Sequence, residues 1–148
     1  MENNRLETLE RESKQYIVVM VGNEQYGIDI SFIDNIVRMQ KITRVPKSQH
    51  YFKGVINLRG EIVPVMSIRR KMDLDDDVIN NASRIIILKL EEKGLLGIIV
   101  DEVKEVVNLG EEEIERTSNK GKFINGVGQH GDELISLLEI NAIVEESV

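Results

Sequence analysis

Short apolar runs separated by polar turns make up most of the chain from Tyr16 onward. A β-branched run over Tyr16–Gly22, a turn at Asn23-Glu24 and the apolar–polar segment Gln25–Ile30 together predict a β-hairpin. Ser31 then has the character of a helix N-cap, and Phe32, Ile33, Ile36 and Val37 recur at helical spacing. The pattern therefore predicts a short helix after the first hairpin.

A second hairpin is predicted over Phe52–Ile68, where two apolar runs flank Arg59-Gly60-Glu61. The glycine can take the positive φ that a tight turn requires. Arg59 stands out because it is a planar cation with five hydrogen-bond donors placed at a turn between two apolar strands. Two interpretations stay open: a salt bridge to a nearby acid, or a docking group for a partner.

The pattern of the first half returns in the second. Residues Gly27–Val37 align with Gly97–Val107 at a constant offset of 70, and residues Ile62–Ile68 align with Leu134–Ile140 at an offset of 72. The same order of hairpin, short helix and glycine-turn hairpin is unlikely to arise twice by chance. The sequence therefore predicts a duplicated all-β unit with one helical turn in each copy.

This duplication and the length of 148 residues define the expected organisation. A flexible tail or frayed helix is expected over residues 1–15, a first subdomain over 16–71, a linker over 72–83 and a second subdomain over 84–144, with 145–148 as the C-terminal end. Short strands in units of this size favour small closed barrels, since closure removes exposed sheet edges. Neither half is expected to be stable alone.

The net charge of −7 hides an uneven distribution. Residues 38–71 contain nine Lys and Arg residues and one acid, Glu61, which gives +8 and leaves −15 for the rest of the chain. Such a basic sector could be a solvated strand face or could steer an acidic protein surface. Nucleic acid is disfavoured, because only Tyr51 and Phe52 interrupt the basic residues as stacking platforms and the rest of the chain would repel phosphate.

Motifs that suggest chemistry do not fit their context. Gly126–Gly131 spells G-x-G-x-x-G, but two acids and a strand-like segment follow it, so a glycine-rich hairpin turn is favoured over a dinucleotide site. Asp73, Asp75 and Asp77 mimic the start of a calcium loop, but Val78 stands where the loop needs glycine. The Asp-rich segment is therefore interpreted as the solvated linker.

The remaining candidates for a metal or catalytic centre are also weak. His50 and His130 are eighty residues apart, and the chain has no cysteine. Asp101 aligns with Ser31 in the repeat, so it is predicted to cap a second short helix rather than to act with Glu102 as a carboxylate pair. We expect no enzyme activity, no catalytic residue, no metal and no cofactor.

No uncharged apolar run is long enough to cross a bilayer, and the first fifteen residues lack the apolar core of a signal peptide. A soluble cytoplasmic protein without direct membrane insertion is expected.

Three segments together resemble a known family. EQYGIDI with the apolar stretch after it, ITRVPKSQHYFKGVINLRGEIVPVMSIRRKM, and GIIVDEVKEVV resemble CheW, the family of adaptors that couple chemotaxis receptors to the histidine kinase CheA. The resemblance runs from about Tyr16 to Val144, and GVINLRGEIVPV at Gly54–Val65 is its most specific part.

The resemblance implies a fold and a pair of partners. It implies two five-stranded SH3-like barrels related by a pseudo-twofold, with a groove between them for the receptor's cytoplasmic tip, and one barrel that binds the kinase regulatory domain. It implies a protein that is monomeric in isolation, performs no catalysis and is recruited to receptor arrays. The receptor-binding residues it implies are Ile33, Ile36, Gly54, Arg59 and Val103, and the kinase-binding residues are Ile42, Val45 and Pro46.

One position departs from the family pattern. Many relatives have an acid where this chain has Asn35, and that acid can pair with the arginine that corresponds to Arg59. Asn35 offers a carbonyl oxygen but no charge, so Asp34 or Glu61 would have to replace it.

Two further readings compete with the adaptor. The same domain occurs in receptor adaptors fused to a receiver and in kinase regulatory segments, which a chain of 148 residues is not expected to accommodate. A small RNA-binding β-barrel is the third reading, and it predicts a steep loss of affinity with salt.

Overall fold

The computed structural model describes residues 13–117 and 119–145 of the chain. The strands in this part are β1 (Lys14–Val21), β2 (Glu24–Asp29), β3 (Ile33–Arg38), β4 (Phe52–Leu58), β5 (Glu61–Ser67), β6 (Arg84–Leu90), β7 (Gly94–Val100), β8 (Glu102–Leu109), β9 (Ile114–Arg116), β10 (Ile124–His130) and β11 (Glu133–Leu138). The helices are α1 (Ile68–Lys71) and α2 (Ile140–Val144), with 3₁₀ turns at Ile30–Phe32 and Glu111–Glu113. The predicted all-β fold with short helices is confirmed.

The predicted tail over residues 1–15 lies almost wholly outside the described residues. Strand β1 already begins at Lys14, two residues earlier than expected. At the other end, only residue 145 of the predicted C-terminal end is described. Within the described part, no helix is long and apolar enough to span a membrane.

The strands form two sheets that belong to two compact units. One sheet has the order β8-β1-β2-β11-β10-β9 and the other has the order β3-β6-β7-β5-β4. One unit comprises residues 13–19, 24–30 and 104–145, the first and last described segments, and we call it the terminal unit. The second unit comprises residues 20–23 and 31–103, and we call it the central unit.

These units do not coincide with the predicted subdomains 16–71 and 84–144. The hairpin β1–β2 from the first half pairs with β8 and β11 from the second half, and β6–β7 from the second half pairs with β3 and β5 from the first. The sequence repeat is real, but its two copies exchange their first hairpins. Offsets along a sequence show which segments are equivalent, but they do not show whether a strand pairs within its own copy or with the other copy.

The exchange leaves equivalent pairings in the two sheets. In the central unit β5 runs parallel to β7, with Val65 opposite Gly97, and in the terminal unit β11 runs parallel to β2, with Leu137 opposite Gly27. A Cβ on Gly97 would lie 2.7 Å from Ile85 Cγ2, and one on Gly27 would lie 2.9 Å from Leu137 Cδ2. Both glycines therefore allow aliphatic side chains to pack directly on the strand backbone.

Each unit has its own hydrophobic core. In the central unit the core contains Ile56, Val63, Val65, Ile85, Ile87 and Ile99, and in the terminal unit it contains Tyr16, Val18, Val107, Leu109, Ile114, Ile135 and Leu137. An isolated bridge between Thr43 and Val55 brings the chain after β3 across β4, the far strand of the central sheet. The central sheet thus curls back on itself, as expected for a small barrel.

The two predicted helices after the first hairpin of each copy are wrong. Residues 33–38 and 102–109 are strands β3 and β8, and Ser31 lies in a 3₁₀ turn instead of at an α-helix N-cap. The segments are rich in Ile and Val, which favour strands. A shift of register between Ile33 and Asn35 also puts residues three apart on one face, which mimics the helical spacing.

The Asp-rich segment is largely exposed, as a solvated linker would be, but it is also tied to the residues before it. It belongs to the central unit and is fastened to α1 and its N-cap: Ser67 Oγ donates to Asp77 Oδ2 at 2.5 Å, and Arg70 donates to both carboxylate oxygens of Asp76 at 2.8 and 2.9 Å. These charge-assisted hydrogen bonds hold the Asp-rich segment to α1 and its N-cap. We call residues 73–77 the strap.

Candidate binding surfaces

Strand β3, at one end of the central sheet, carries an apolar stripe. Ile33 lies opposite Leu88 and Ile36 lies opposite Ile86, which are alternate residues of β6 and therefore face the same side of the sheet. A regular strand would place residues 33 and 36 on opposite faces, so the register shift between them creates the stripe. Both isoleucines are only half-buried.

The β4–β5 turn presents Arg59 to solvent. Arg59 and Gly60 both have positive φ, 54° and 84°, as a two-residue hairpin turn of this hand requires, and the Gly60 N–H donates to Asn57 Oδ1 at 2.9 Å. Arg59 is exposed. The turn thus directs a cation outward from a fixed backbone position.

The salt-bridge interpretation of Arg59 finds no support within the described residues. None of the ion pairs there includes Arg59, and neither Asp34 nor Glu61 replaces the acid that relatives carry. The Asn35 side chain is engaged locally, since its Oδ1 accepts from the Ile36 N–H at 2.8 Å. The docking interpretation of Arg59 therefore remains as a prediction.

Gly54 is a buried residue of β4, at the point where Ile42 and Thr43 cross this strand. Its φ is 139°, and a Cβ would lie 2.7 Å from the carbonyl carbon of Thr43 and 2.9 Å from Ile42 Cγ2. Only glycine permits this crossing without displacing the backbone. Its observed contact is thus with the chain itself, and a direct contact with a receptor stays a prediction.

Val103 lies at the start of β8 and is half-buried. Its neighbours in the repeat behave differently from each other: Val106 is 50% exposed, whereas Val107 joins the core of the terminal unit. Because β8 is a strand, the three valines do not form the single helical face that the sequence predicted.

The three predicted kinase-binding residues lie in the segment between β3 and β4. Ile42 is half-buried and packs on the core of the central unit, whereas Val45 is 46% exposed and Pro46 is exposed. Val45 and Pro46 border a cleft of 340 Å³ whose other lining residues are Arg44, Lys47, Ser48, Gln49, His50, Phe52, Lys53 and Arg70. The segment therefore combines exposed apolar groups with a basic recess.

Sequence reasoning missed an ion pair beside this region. Arg69 donates from Nε to Asp101 Oδ1 at 3.1 Å and from Nη2 to Oδ2, and the Gly22 N–H donates to Oδ2 of the same carboxylate at 2.8 Å. The hydrogen bond to Asp101 raises the pKa of Arg69 above its ordinary value. Asp101 is therefore not a helix cap: it fastens the β1–β2 turn to α1 within the central unit.

Some cations of the basic sector already have partners within the chain. Arg69 is paired with Asp101, Arg70 with Asp76, and the Lys71 Nζ lies 4.1 Å from the centre of the buried Tyr51 ring. The remaining exposed cations lie mainly along residues 38–53. A count of charges could not separate these groups, because their partners are distant in sequence.

Comparison with known proteins decides the family. A family model described as the CheW-like domain matches residues 15–148. The chain belongs to the CheW-like family. The chemotaxis protein CheW of Bacillus subtilis (strain 168) is 32% identical over 138 residues, which cover 90% of this chain and 88% of that protein. The CheW of Thermotoga maritima is 30% identical over 146 residues, covering 95% of each chain.

A solved CheW structure has the same fold. The crystal structure of scaffolding protein TtCheW from Thermoanaerobacter tengcongensis matches with a TM-score of 0.82 at 29% identity, covering 90% of this chain and 93% of that one. As a CheW-like chain, the protein is a chemotaxis scaffolding protein and not an enzyme. The family resemblance seen in the sequence is thus confirmed.

Proposed function

We propose that this chain is an adaptor that couples transmembrane chemotaxis receptors to the histidine kinase CheA in bacterial chemotaxis. It binds the receptor's cytoplasmic tip and the kinase regulatory domain, and it works in the cytoplasm at membrane receptor arrays. The observation that carries the proposal is the CheW-like match over residues 15–148. Two distinct surfaces of the central unit support it.

The receptor surface is centred on the apolar stripe of β3. A receptor tip is helical, and a helix docks through aliphatic anchors and a polar rim that sets its register. Ile33 and Ile36 are half-buried and share one face, so they supply such anchors. Arg59, exposed and without an ion pair in the described part, supplies a cation for the rim.

Gly54 and Val103 have different roles in this proposal. Gly54 is buried, so its contribution is to allow the close crossing of the chain over β4. Val103 is half-buried and adds a further aliphatic contact.

The kinase surface is the segment between β3 and β4. Ile42 holds the segment on the core of the central unit, and Val45 and Pro46 are exposed beyond it. Proline fixes φ, so less conformational freedom is lost when this segment is bound.

The test is a pulldown of a receptor tip fragment with the variant Ile33→Asp. A carboxylate that is withdrawn from water in an apolar contact has a large unfavourable desolvation free energy, so we expect receptor binding to fall by tenfold or more, on the order of 1.4 kcal/mol. Kinase binding should be retained. Because Ile33 is only half-buried on an end strand, the fold should survive, which circular dichroism checks.

Val78→Asp is the matched control. Val78 is 66% exposed in the same unit and lies outside both proposed surfaces, so this carboxylate should leave both interactions unchanged. Unchanged receptor capture by a folded Ile33→Asp protein would contradict the proposed receptor surface.

A further inference from the structure

We propose that the basic cleft beside β4 binds a Glu- or Asp-rich segment of a protein partner, and that Asp76 holds the Arg70 end of this cleft until such a segment replaces it. The cleft shares residues with the proposed kinase surface, so the identity of its natural partner rests on the proposed function. The cleft's preference for acidic segments does not.

The cleft gathers cations without an acid in its lining. Arg44, Lys47, Lys53 and Arg70 line it together with His50, and no Asp or Glu does so. Lys53 and Arg70 side chains are only 26% and 32% exposed. Partly withdrawn cations attract a carboxylate more strongly than fully solvated ones, because the local dielectric is lower.

The chain's own Asp76 shows that two of the cations of the cleft accept a carboxylate. Arg70 grips it with two parallel hydrogen bonds of 2.8 and 2.9 Å, and Lys53 Nζ lies 3.9 Å from its Oδ1. The third side of the guanidinium donates from Nη1 to the His50 carbonyl at 2.9 Å. The His50 carbonyl therefore holds one side of the guanidinium in place, and another carboxylate can take the two remaining donors once Asp76 leaves them.

Asp76 compensates the cleft only in part. Four Lys and Arg side chains line it, whereas Asp76 is one carboxylate and contacts only two of them. Arg44 and Lys47 have no ion pair within the described residues. A segment with several carboxylates would satisfy both ends of the cleft, and its first contact at Arg44 and Lys47 would precede exchange at Arg70.

The surroundings favour a protein segment over a nucleic acid. The exposed Val45 and Pro46 border the cleft and offer apolar contact to a peptide side chain. Of the two neighbouring aromatic residues, Tyr51 is buried under Lys71 and offers no face for a base to stack upon, which leaves the half-buried Phe52 as a single platform. The net charge of −7 for the whole chain also opposes a long phosphate backbone.

The experiment is a fluorescence anisotropy titration of the full chain with a short labelled peptide of Glu and Leu. We expect saturable binding that weakens as salt rises. Asp76→Asn should tighten it about two- to fivefold, because the internal competitor is gone and exposed ion pairs of this kind are weak. Arg44→Gln should weaken it by a similar factor.

Two matched controls separate the cleft from general charge effects. Asp73→Asn removes the same charge from the same strap, and its positive φ of 58° suits asparagine, so peptide affinity should stay near that of the wild type. Lys89→Gln removes an exposed cation of the central unit outside the cleft and should also have little effect. Thermal unfolding of each variant checks that the strap remains folded.

Three results would overturn the proposal: absence of saturable peptide binding, equal effects of Asp76→Asn and Asp73→Asn, or a single-stranded oligonucleotide that displaces the peptide at lower concentration than unlabelled peptide does. Because the titration contains no kinase, its result does not depend on the proposed function. Peptide binding without capture of the kinase domain would overturn only the kinase assignment, and the converse would overturn only the cleft.

Discussion

The central and terminal units are built to the same plan from exchanged parts of one repeat. Strands β3-β6-β7-β5-β4 of the central sheet correspond in order to β8-β1-β2-β11-β10 of the terminal sheet. In each copy of the sequence repeat, the third strand (β3 or β8) is followed by a connection that pairs with the next long strand: Thr43 pairs with Val55, and Glu115 pairs with Val127. Both partners are displaced by 72 residues between the units, so the crossing itself is duplicated.

The two connections differ in charge. Residues 39–51 contain three Lys and Arg residues and no acid, whereas residues 110–123 begin with Glu111, Glu112, Glu113 and Glu115. In the terminal unit Arg116 is already paired with Glu111 at 3.1 Å. Aliphatic and glycine positions thus preserve the framework in both units, while the connections carry different charge.

The largest expected difference concerns the glycine at each crossing. Gly54→Ala should destabilise the protein by about 3 kcal/mol or more, because its Cβ meets the Thr43 backbone and its φ is unfavourable for alanine. Gly126→Ala, the equivalent change, should lower the free energy of unfolding by only about 1 kcal/mol, since its Cβ would lie 3.1 Å from the Glu115 carbonyl oxygen. Urea denaturation measures both, and equal losses would mean that the crossings are equally tight.

The next difference concerns ion pairs. Asp101→Ala leaves the Gly22 N–H and the Arg69 guanidinium without their acceptor, so a loss of about 2–3 kcal/mol in unfolding free energy is expected. In the terminal unit, Glu111→Ala breaks a pair whose side chains are 47% and 58% exposed, and the expected loss is under about 0.5 kcal/mol. A large effect of Glu111→Ala or none of Asp101→Ala in thermal unfolding would reverse this ranking.

A smaller free-energy change is expected when the central connection receives the charge of the terminal one. The double variant Arg44→Glu, Lys47→Glu should reduce affinity for the Glu- and Leu-containing peptide by about tenfold, because two attractive contacts become repulsive. Stability should change little, since both side chains are exposed. Anisotropy titration measures the affinity, and undiminished binding would show that charge is not what distinguishes the connections.

The smallest effect concerns protonation of Asp76. Hydrogen bonds from Arg70 hold the pKa of this carboxyl well below its usual range. A folded pKa below the unfolded value means that the contact stabilises the protein above the ordinary carboxyl pKa and is lost as pH falls through the lowered one. Carboxyl NMR titration should locate the low midpoint, and Arg70→Gln should return it toward the usual range. A midpoint in the usual carboxyl range in the wild type would contradict the contact between Asp76 and Arg70.

The sequence predicts those features that repeated local patterns determine. The hairpins β1–β2 and β4–β5 follow from alternation and turn residues, and the offsets of 70 and 72 correctly identify equivalent segments. Of Gly126–Gly131, predicted as a hairpin turn, only Gly131 lies in the turn, because residues 126–130 belong to β10. Strand β3 was missed because a register shift gives Ile33 and Ile36 the spacing of a helix face. Its β-branched composition was the signal that favoured a strand.

Other features depend on partners far apart in the chain. The pairing of Arg69 with Asp101 joins residues 32 apart in the sequence, and the hydrogen bond from the Gly22 N–H to Asp101 joins residues 79 apart. The exchange of hairpins between the copies likewise joins strands far apart in the chain, and no local pattern encodes it. Arg59 is a partial case: the turn was predictable, but the absence of an acid partner in the described part was not.

The central claim is that one chain holds a receptor and a kinase at the same time on separate surfaces. NMR shift mapping of the labelled chain, with a receptor tip fragment and a CheA regulatory domain added singly and then together, tests it most directly. The account predicts receptor shifts at Ile33, Ile36, Gly54, Arg59 and Val103, kinase shifts at Ile42, Val45 and Pro46, and both sets in the ternary mixture. Mutual displacement of the two partners, or shifts that avoid these residues, would contradict it.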